Sequence, residues 1–173
     1  KITMWYKNGQ KQSEANTKDG KLDGKTSLWT ENGQIVKEEN YKNDKLDGKV
    51  IFWDKDGKYL EENYKDGKKD GKTTGWHAAG KTAKVENFKK GKQDGKAYGY
   101  FENGKKMSES NWKDGKLTGK MTSWHKNGKR QSVSDMKDGK FHGKVIGFNE
   151  KGQKQMELKM NNGVCVYVYF PKD

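Results

Sequence analysis

Apolar and polar positions alternate in short runs along most of the chain, and glycine-containing turns separate the runs. In residues 19–42, DGKLDGKTSLWTENGQIVKEENYK, two alternating runs flank the dipeptide Asn32-Gly33. Alternation on both sides of such a dipeptide is typical of a β-hairpin, and Asn-Gly supplies the positive φ angles of a type I′ turn. The stretch therefore predicts two antiparallel strands joined by a two-residue turn.

The same stretch recurs with a fixed period, which is the signature of a repeat protein. One glycine lies inside the first strand of each copy and another in the hairpin turn, and each series advances by 24 residues with one step of 23. The strand glycines are Gly24, Gly48, Gly71, Gly95, Gly119 and Gly143. The turn glycines are Gly9, Gly33, Gly57, Gly80, Gly104, Gly128 and Gly152. Seven hairpins and a final strand, about fifteen strands, are expected to stack on their neighbours.

The turn position also predicts the strand register. Each strand glycine should face a large side chain, which covers bare backbone in a sheet; the pairs are Gly24–Tyr41, Gly71–Phe88, Gly95–Trp112, Gly119–Met136 and Gly143–Met160. The other face should pair Trp29–Val36, Trp53–Leu60, Trp76–Ala83 and Tyr100–Met107. The third copy is one residue short, so Tyr64 needs a bulge or local shift to lie opposite Gly48.

The pattern Asp-Gly-Lys-x-x-Gly-Lys…Trp…Asn-Gly-Lys…Tyr-Lys resembles the bacterial variant of the MORN repeat over residues 3–161. The resemblance implies an all-β fold of tandem β-hairpin repeats that form an elongated, single-layer, twisted sheet. Proteins of this kind are often described as antitoxin-like. The chain departs from the pattern at Asp44, where a turn glycine is expected, and at Thr118 and His142, where Asp is expected. These departures should alter local turn geometry and leave the fold intact.

Residues 1–161 are thus predicted to hold seven repeats, the first of them clipped, and residues 162–173 a C-terminal capping strand. The charge-free run 164–170 would cover the last repeat, although an edge strand of this kind could instead pair with a partner. Pro171 would end that strand because it donates no ladder hydrogen bond. Cys165 lies in the apolar run and is expected to be a buried, inert thiol.

Composition tests this picture. Hydrophobic residues make up 29% of the chain and charged residues 35%, the net charge is +13 and the mean hydropathy is −1.34. Such values alone are typical of disorder, but aromatic residues and turn chemistry at every period favour folded repeats. The longest apolar stretch has seven residues, too few for a transmembrane helix. Because Lys1 is not an initiator Met, the bacterial cytoplasm and export after loss of a leader both remain open.

Groups capable of catalysis or metal binding do not converge. His77 and His125 are two repeats apart, roughly 19 Å at the usual strand spacing, whereas metal-bound histidine nitrogens lie about 2 Å from the metal. Carboxylates recur before the strand glycines, where Asp is favoured for local backbone hydrogen bonds; they are Asp23, Asp47, Asp70 and Asp94. We therefore expect no catalytic residues, no metal and no cofactor, and the sequence predicts a protein that is not an enzyme.

The candidate binding residues are lysines and aromatics at repeat-locked positions. The lysines that follow the first turn should form a basic margin that attracts an acidic surface, and aromatics two strand spacings apart could anchor it. The residues predicted to bind a partner are Trp53, Trp76, Tyr100, Trp124, Lys68, Lys92 and Lys116. We expect a non-enzymatic scaffold for an acidic protein, of antitoxin or immunity type on the resemblance. The alternatives are polyanion binding, to acidic lipid headgroups or nucleic acid, and a passive surface or spacer repeat of an exported protein.

Overall fold

A computed structural model describes residues 1–170; the strand ending expected at Pro171 lies outside the described residues. The described residues form 18 β-strands and no helix. Among them there is accordingly no helix long and apolar enough to cross a membrane. The strands are β1 (Ile2–Trp5), β2 (Lys11–Lys18), β3 (Lys21–Trp29), β4 (Ile35–Lys42), β5 (Lys45–Leu46), β6 (Gly48–Asp54), β7 (Gly57–Lys65), β8 (Lys68–Lys69), β9 (Gly71–Trp76), β10 (Thr82–Lys89), β11 (Lys92–Gln93), β12 (Gly95–Tyr100), β13 (Lys106–Lys113), β14 (Lys116–Trp124), β15 (Arg130–Lys137), β16 (Lys140–Phe148), β17 (Lys154–Asn161) and β18 (Val164–Tyr169). The prediction of an all-β fold is confirmed.

The chain divides into two compact units. The first comprises residues 1–81 with 88–91, and the second comprises residues 82–87 with 92–173. Within each unit consecutive strands pair antiparallel as open hairpins, from β1–β2 in the first unit to β17–β18 in the second. The predicted boundary between repeats and capping strand at residue 161 stays a prediction.

Three long strands are interrupted, which is why the described chain has 18 strands instead of about fifteen. The interruptions fall at Asp47, Asp70 and Asp94, each between a two-residue strand and a longer one. At each of them the aspartate N–H donates to the carbonyl of an asparagine in the preceding strand at 2.8 Å. The strand glycine that follows has a positive φ, for example 105° at Gly95, so the backbone bends at this point in every one of these repeats.

The Asn-Gly turns are not type I′, and this part of the prediction is wrong. In the hairpin β3–β4 the Gly33 N–H donates to Thr30 O at 2.9 Å, and the Thr30 N–H donates to Gln34 O at 2.8 Å. Gly33 has a φ of 81°, whereas Asn32 is not in the left-handed region. The loop is therefore the three-residue kind, a type I turn followed by a left-handed glycine.

The longer loop changes the register next to the turn, so that Trp29 pairs with Ile35 and not Val36, and Tyr100 pairs with Lys106 and not Met107. Trp53 pairs with Lys58 and not Leu60 in a hairpin with a different connection, since Asp54 pairs with Gly57 and only two residues join the strands. The asparagine side chain favours the three-residue loop, because its Oδ1 accepts the N–H two residues later at 2.9 Å in the loops of Asn8, Asn103 and Asn127. The pair Trp76–Ala83 stays a prediction.

Type I′ turns do occur, at the other end of the strands. Both central residues have positive φ in the turns Asp19-Gly20, Asn43-Asp44, Asp66-Gly67, Lys90-Gly91, Asp114-Gly115, Asp138-Gly139 and Asn162-Gly163. Asp44 fits this geometry with a φ of 63°, and its Oδ1 accepts the Leu22 N–H at 2.7 Å. The turn therefore keeps type I′ geometry although Asp44 stands where the repeat pattern has glycine.

Away from the turns the predicted register is confirmed. The pairs Gly24–Tyr41, Gly95–Trp112, Gly119–Met136 and Gly143–Met160 are present, and a local shift brings Tyr64 opposite Gly48 as expected. The pair Gly71–Phe88 stays a prediction. The asparagine of the preceding strand lies against the glycine: a Cβ added to Gly95 would be 3.4 Å from Asn87 Cβ. Asn87 Nδ2 also donates to Lys96 O at 2.7 Å, so it satisfies a carbonyl that the bend removes from the ladder.

One face of each unit carries the small buried core. In the first unit Val50 and Thr73 are both 2% exposed, and in the second Ala97 and Val145 occupy the equivalent positions and are also buried. The final strand lacks such cover, since all six residues of β18 are exposed. Cys165 is consequently exposed, and the prediction of a buried thiol is wrong because an apolar strand sequence did not imply a covered strand.

Candidate functional site

The predicted lysines and aromatics lie at opposite ends of the same strands. Lys116 begins β14 and Trp124 ends it, which separates their Cα atoms by about 27 Å at the rise of an extended strand. Lys68 and Lys92 likewise begin β8 and β11, and Trp76 and Tyr100 end β9 and β12. We call the end with the type I′ turns the turn margin and the end with the three-residue loops the loop margin. The residues predicted to form one binding site therefore lie on two separate surfaces.

The turn margin carries a row of lysines that have no ion pair within residues 1–170. Each of them follows a type I′ turn and is exposed; the first unit has Lys21, Lys45 and Lys68, and the second has Lys92, Lys116 and Lys140. An added Cβ on the glycine of the next turn would lie 3.8–3.9 Å from the Cβ of Lys68 or Lys92. The turns therefore pack against the lysine stems, and none of the six ammonium groups forms an ion pair within residues 1–170.

Many lysines elsewhere on the sheet make an ion pair or a hydrogen bond. Lys49 Nζ lies 3.0 Å from Glu61 Oε1, and Lys144 Nζ lies 3.2 Å from Glu157 Oε1. At the loop margin Lys129 Nζ donates to the Lys151 carbonyl at 2.7 Å. The six turn-margin lysines differ from these paired lysines, which net charge and lysine spacing alone did not reveal.

Aromatic rings at the loop margin are partly covered from within the chain. The ammonium groups of Lys11, Lys58 and Lys106 lie 5.1, 4.3 and 5.3 Å from the ring centroids of Trp29, Trp76 and Trp124. Each of these lysines also pairs with the glutamate three residues later. The hydrogen bond to Glu109 raises the pKa of the Lys106 ammonium. Trp53, Trp76, Tyr100 and Trp124 are all half-buried, and the cation–π contacts stabilise the sheet itself.

This lysine–glutamate–aromatic arrangement was missed from the sequence. The signal that could have found it is a spacing: each covering lysine precedes its tryptophan by 18 residues and its glutamate by three. Trp53 lacks the arrangement because Ile35 occupies the corresponding position.

Periodic carboxylates tie consecutive turns of the turn margin together. Asp47, Asp70 and Asp94 each accept the N–H of the first turn residue of the following repeat, at 3.4, 3.0 and 3.3 Å. These bonds connect repeats, so the expectation of local turn hydrogen bonds for these aspartates was incomplete. Lys113 Nζ lies 3.0 Å from Asp94 Oδ2, and this hydrogen bond raises the pKa of the Lys113 ammonium.

Acid is expected to weaken these contacts. The hydrogen bond from the Asp66 N–H, followed by the charge and hydrogen bond of Lys65, lowers the pKa of the Asp47 carboxyl below its ordinary value of 3.8. A carboxyl whose pKa is lower in the folded state stabilises the fold above its unfolded pKa, and the stabilisation disappears as pH falls through the folded pKa. The melting temperature should therefore be steady from neutral pH down to about pH 5 and fall below about pH 4.

Asp47→Asn serves as the matched variant for this pH dependence, since it retains an oxygen acceptor and removes the charge. The melting temperatures of parent and variant, measured from pH 7 to pH 2.5, should converge below about pH 4. A constant difference over that range would contradict the assignment.

Two of the three histidines make side-chain hydrogen bonds within the sheet. His125 Nε2 donates to Phe148 O at 3.0 Å, and His142 Nδ1 accepts the Asn162 N–H at 3.4 Å. In the part of the chain that the structure describes, no group of three or more His, Cys, Asp or Glu side chains is placed to hold a metal ion.

Comparison with known families identifies three matching segments. Residues 1–19, 22–43 and 93–114 match the MORN repeat variant; these segments cover nearly all of the first two hairpins and strands β12 and β13. MORN repeats are in general non-enzymatic repeat modules. No curated protein matches the chain.

Proposed function

We propose, on the premise that three segments of the chain match the MORN repeat variant, that this protein is a non-enzymatic scaffold that binds an acidic protein through its turn margin. The observation that carries the proposal is the row of exposed lysines without ion pairs in residues 1–170. Within each unit, consecutive lysines of the row are two strands apart, about 9.6 Å, which is close to the Debye length at physiological salt. Their mutual repulsion is therefore only partly screened and would be relieved by an acidic surface.

The charge pattern of the turn margin favours a protein over a uniform polyanion. The turns place Asp19, Asp66, Asp114 and Asp138 beside the lysines, and these carboxylates repel a continuous phosphate backbone. A protein can match alternating charges with its own, which gives specificity through repulsion of wrong partners as well as attraction. Lysine alone supplies a flexible point charge, so the fixed spacing of the turns would set the register of the complex.

The aromatic residues Trp53, Trp76, Tyr100 and Trp124 form a second predicted contact. Because they lie at the loop margin, only a partner that spans the width of the sheet would touch both surfaces. For such a partner Trp76→Ala should mainly speed dissociation, since buried aromatics dominate interface energies. For a partner confined to the turn margin the same change should leave both rate constants near those of the parent.

Charge reversal tests the proposal directly. Once affinity capture has supplied a partner, surface-plasmon kinetics should show that Lys68→Glu/Lys92→Glu/Lys116→Glu slows association by about tenfold or more, because steering by charge acts on the encounter rate. The matched control is Lys49→Glu/Lys96→Glu/Lys144→Glu, which changes the net charge equally at lysines that lie near glutamates. Equal slowing by both sets would show that net charge alone matters and would overturn the proposed surface.

The identity of the partner distinguishes an antitoxin or immunity role from polyanion binding. An antitoxin or immunity role requires that the partner be toxic and that co-expression of this chain restore growth. Binding only to nucleic acid or anionic vesicles, with affinity falling steeply on a log-salt plot, would replace the protein scaffold with polyanion binding.

A further inference from the structure

The series of carboxylates along the turn margin has a gap at Thr118. Thr118 follows Asp94 by 24 residues and takes the position that Asp47, Asp70 and Asp94 hold in earlier repeats. The N–H that corresponds to the one Asp94 binds belongs to Asp138. Among residues 1–170 this N–H has no side-chain acceptor, and Lys137, which corresponds to Lys113, has no ion pair.

Other departures from the pattern keep the contact between repeats. At His142 the ring nitrogen Nδ1 accepts the Asn162 N–H at 3.4 Å. Among residues 1–170, Asp23 does not accept the corresponding Asn43 N–H, and a different contact joins the two repeats there, since Asp44 Oδ1 accepts the Leu22 N–H at 2.7 Å. Thr118 leaves its turn without either kind of acceptor, so the gap is not a general result of irregular repeats.

A cleft of about 330 Å³ lies at this gap. Its lining residues are Lys92, Lys113, Asp114, Lys116, Thr118 and Asp138. Lys92 and Lys116 belong to the row of lysines without ion pairs, whereas Lys113 is paired with Asp94. Because Asp94 neutralises Lys113, the two remaining ammonium groups face the two carboxylates of Asp114 and Asp138, and this near balance of charge suits one small monoanion better than a dianion.

We propose that this cleft binds a carboxylate group from outside the chain, and, resting on the proposed function, that the carboxylate is an Asp or Glu side chain of the acidic partner. The reason is internal to the repeat: the N–H of Asp138 corresponds to the Asp114 N–H, which binds the Asp94 carboxylate in the preceding repeat. The lysine that pairs with Asp94 there is Lys113, which corresponds to Lys137, and in the cleft the nearby ammonium groups of Lys92 and Lys116 would take that role. A charge-assisted hydrogen bond to a carboxylate is stronger than one between neutral groups.

The site is tested first without a partner. Sodium acetate is added to the ¹⁵N-labelled full chain, and sodium chloride at equal ionic strength is the reference. The amide resonance of Asp138 should shift saturably with acetate and not with chloride, while the amide of Asp114, which already donates to Asp94, should not respond. An Asp138 amide that responds no more than Asp114 would overturn the site. Inorganic phosphate binding more tightly than acetate would overturn the assignment to a monoanionic carboxylate.

Two substitutions exchange the filled and vacant positions. Thr118→Asp supplies the missing carboxylate from within the chain and should abolish the acetate response of Asp138. Asp94→Thr should create the same response at the Asp114 amide. If Thr118→Asp binds acetate like the parent, the cleft is not the binding site.

The partner then separates failure of this inference from failure of the proposed function. Thr118→Asp should lower the affinity for the partner by about tenfold, because one charge-assisted hydrogen bond between the two proteins is lost. Unchanged partner affinity together with a lost acetate response would retain the carboxylate site but overturn its assignment to the partner. The parent chain could show no acetate response while charge reversal at Lys68, Lys92 and Lys116 still abolishes partner binding. That result would overturn the carboxylate site and leave the proposed function standing.

Discussion

Gly95→Val is expected to lower the free energy of unfolding by about 3 kcal/mol, the largest effect we expect from a single substitution. Gly95 has a φ of 105°, a region that is a genuine outlier for a β-branched residue. The new Cβ would also lie 3.4 Å from Asn87 Cβ, and the added methyl groups would displace Asn87 from the Lys96 carbonyl, which it now binds at 2.7 Å. Backbone strain and a lost hydrogen bond therefore act together.

Lys96→Val is the matched control, because it adds the same side chain at the adjacent, exposed position of β12. Urea unfolding of the two variants and the parent measures the difference. Gly95→Ala should fall between them, since it introduces the backbone strain with a smaller side chain. Similar midpoints for Gly95→Val and Lys96→Val would contradict the structural role of the bend.

Glu62→Ala is expected to cost about 2 kcal/mol, since hydrogen bonds to a charged group are worth more than neutral ones. Glu62 is only 6% exposed; it accepts a hydrogen bond from the Tyr64 hydroxyl at 2.8 Å and is paired with Lys69. Burial, together with the hydrogen bond and charge of Glu62, raises the pKa of the Tyr64 hydroxyl. Removing the carboxylate leaves both partners without their acceptor.

The adjacent Glu61 provides the control for this substitution. It lies on the opposite face of β7, where its carboxylate pairs with Lys49 and Lys58 at 3.0 Å, and such outer ion pairs contribute less than about 1 kcal/mol. Chemical unfolding should rank Glu62→Ala well below Glu61→Ala in stability, and spectrophotometric titration should show a lower Tyr64 pKa in the former. A reversed ranking would mean that the network around Glu62 does not support the core.

Much of the fold follows from the sequence because a strand's side chains alternate strictly. The periodic glycines predicted the pairing of Gly95 with Trp112 correctly, since a register error of one residue would have exposed the whole apolar face. Turn type was misjudged at Asn32-Gly33 because the dipeptide suits two kinds of loop. In the three-residue loop the Thr30 hydroxyl donates to Asn32 Oδ1 and accepts the Gln34 N–H, and the Asn-Gly rule does not consider the residue at Thr30.

The candidate site was less accessible to sequence reasoning. The positions of Lys68, Lys92 and Lys116 at one margin could be predicted, but their lack of ion pairs depends on which lysines face a glutamate across the strands. Thr118 was visible as a departure from the pattern. The cleft beside it was not, because the cleft is formed by residues of neighbouring repeats that come together only in the sheet.

The loop asparagines give the stack of hairpins a direction. Asn8 Nδ2 donates to Glu31 O at 2.8 Å in the first unit, and Asn127 Nδ2 donates to Glu150 O at 2.8 Å in the second. Loops with this asparagine thus donate forward to a carbonyl of the next loop, so a duplicated 24-residue copy of such a repeat inserted in frame would present both halves of the same junction. Gene duplication could then lengthen the protein without a new interface, and each copy would add one lysine to the turn margin. Copy number would set the valency of the surface, and with it the avidity for an extended partner.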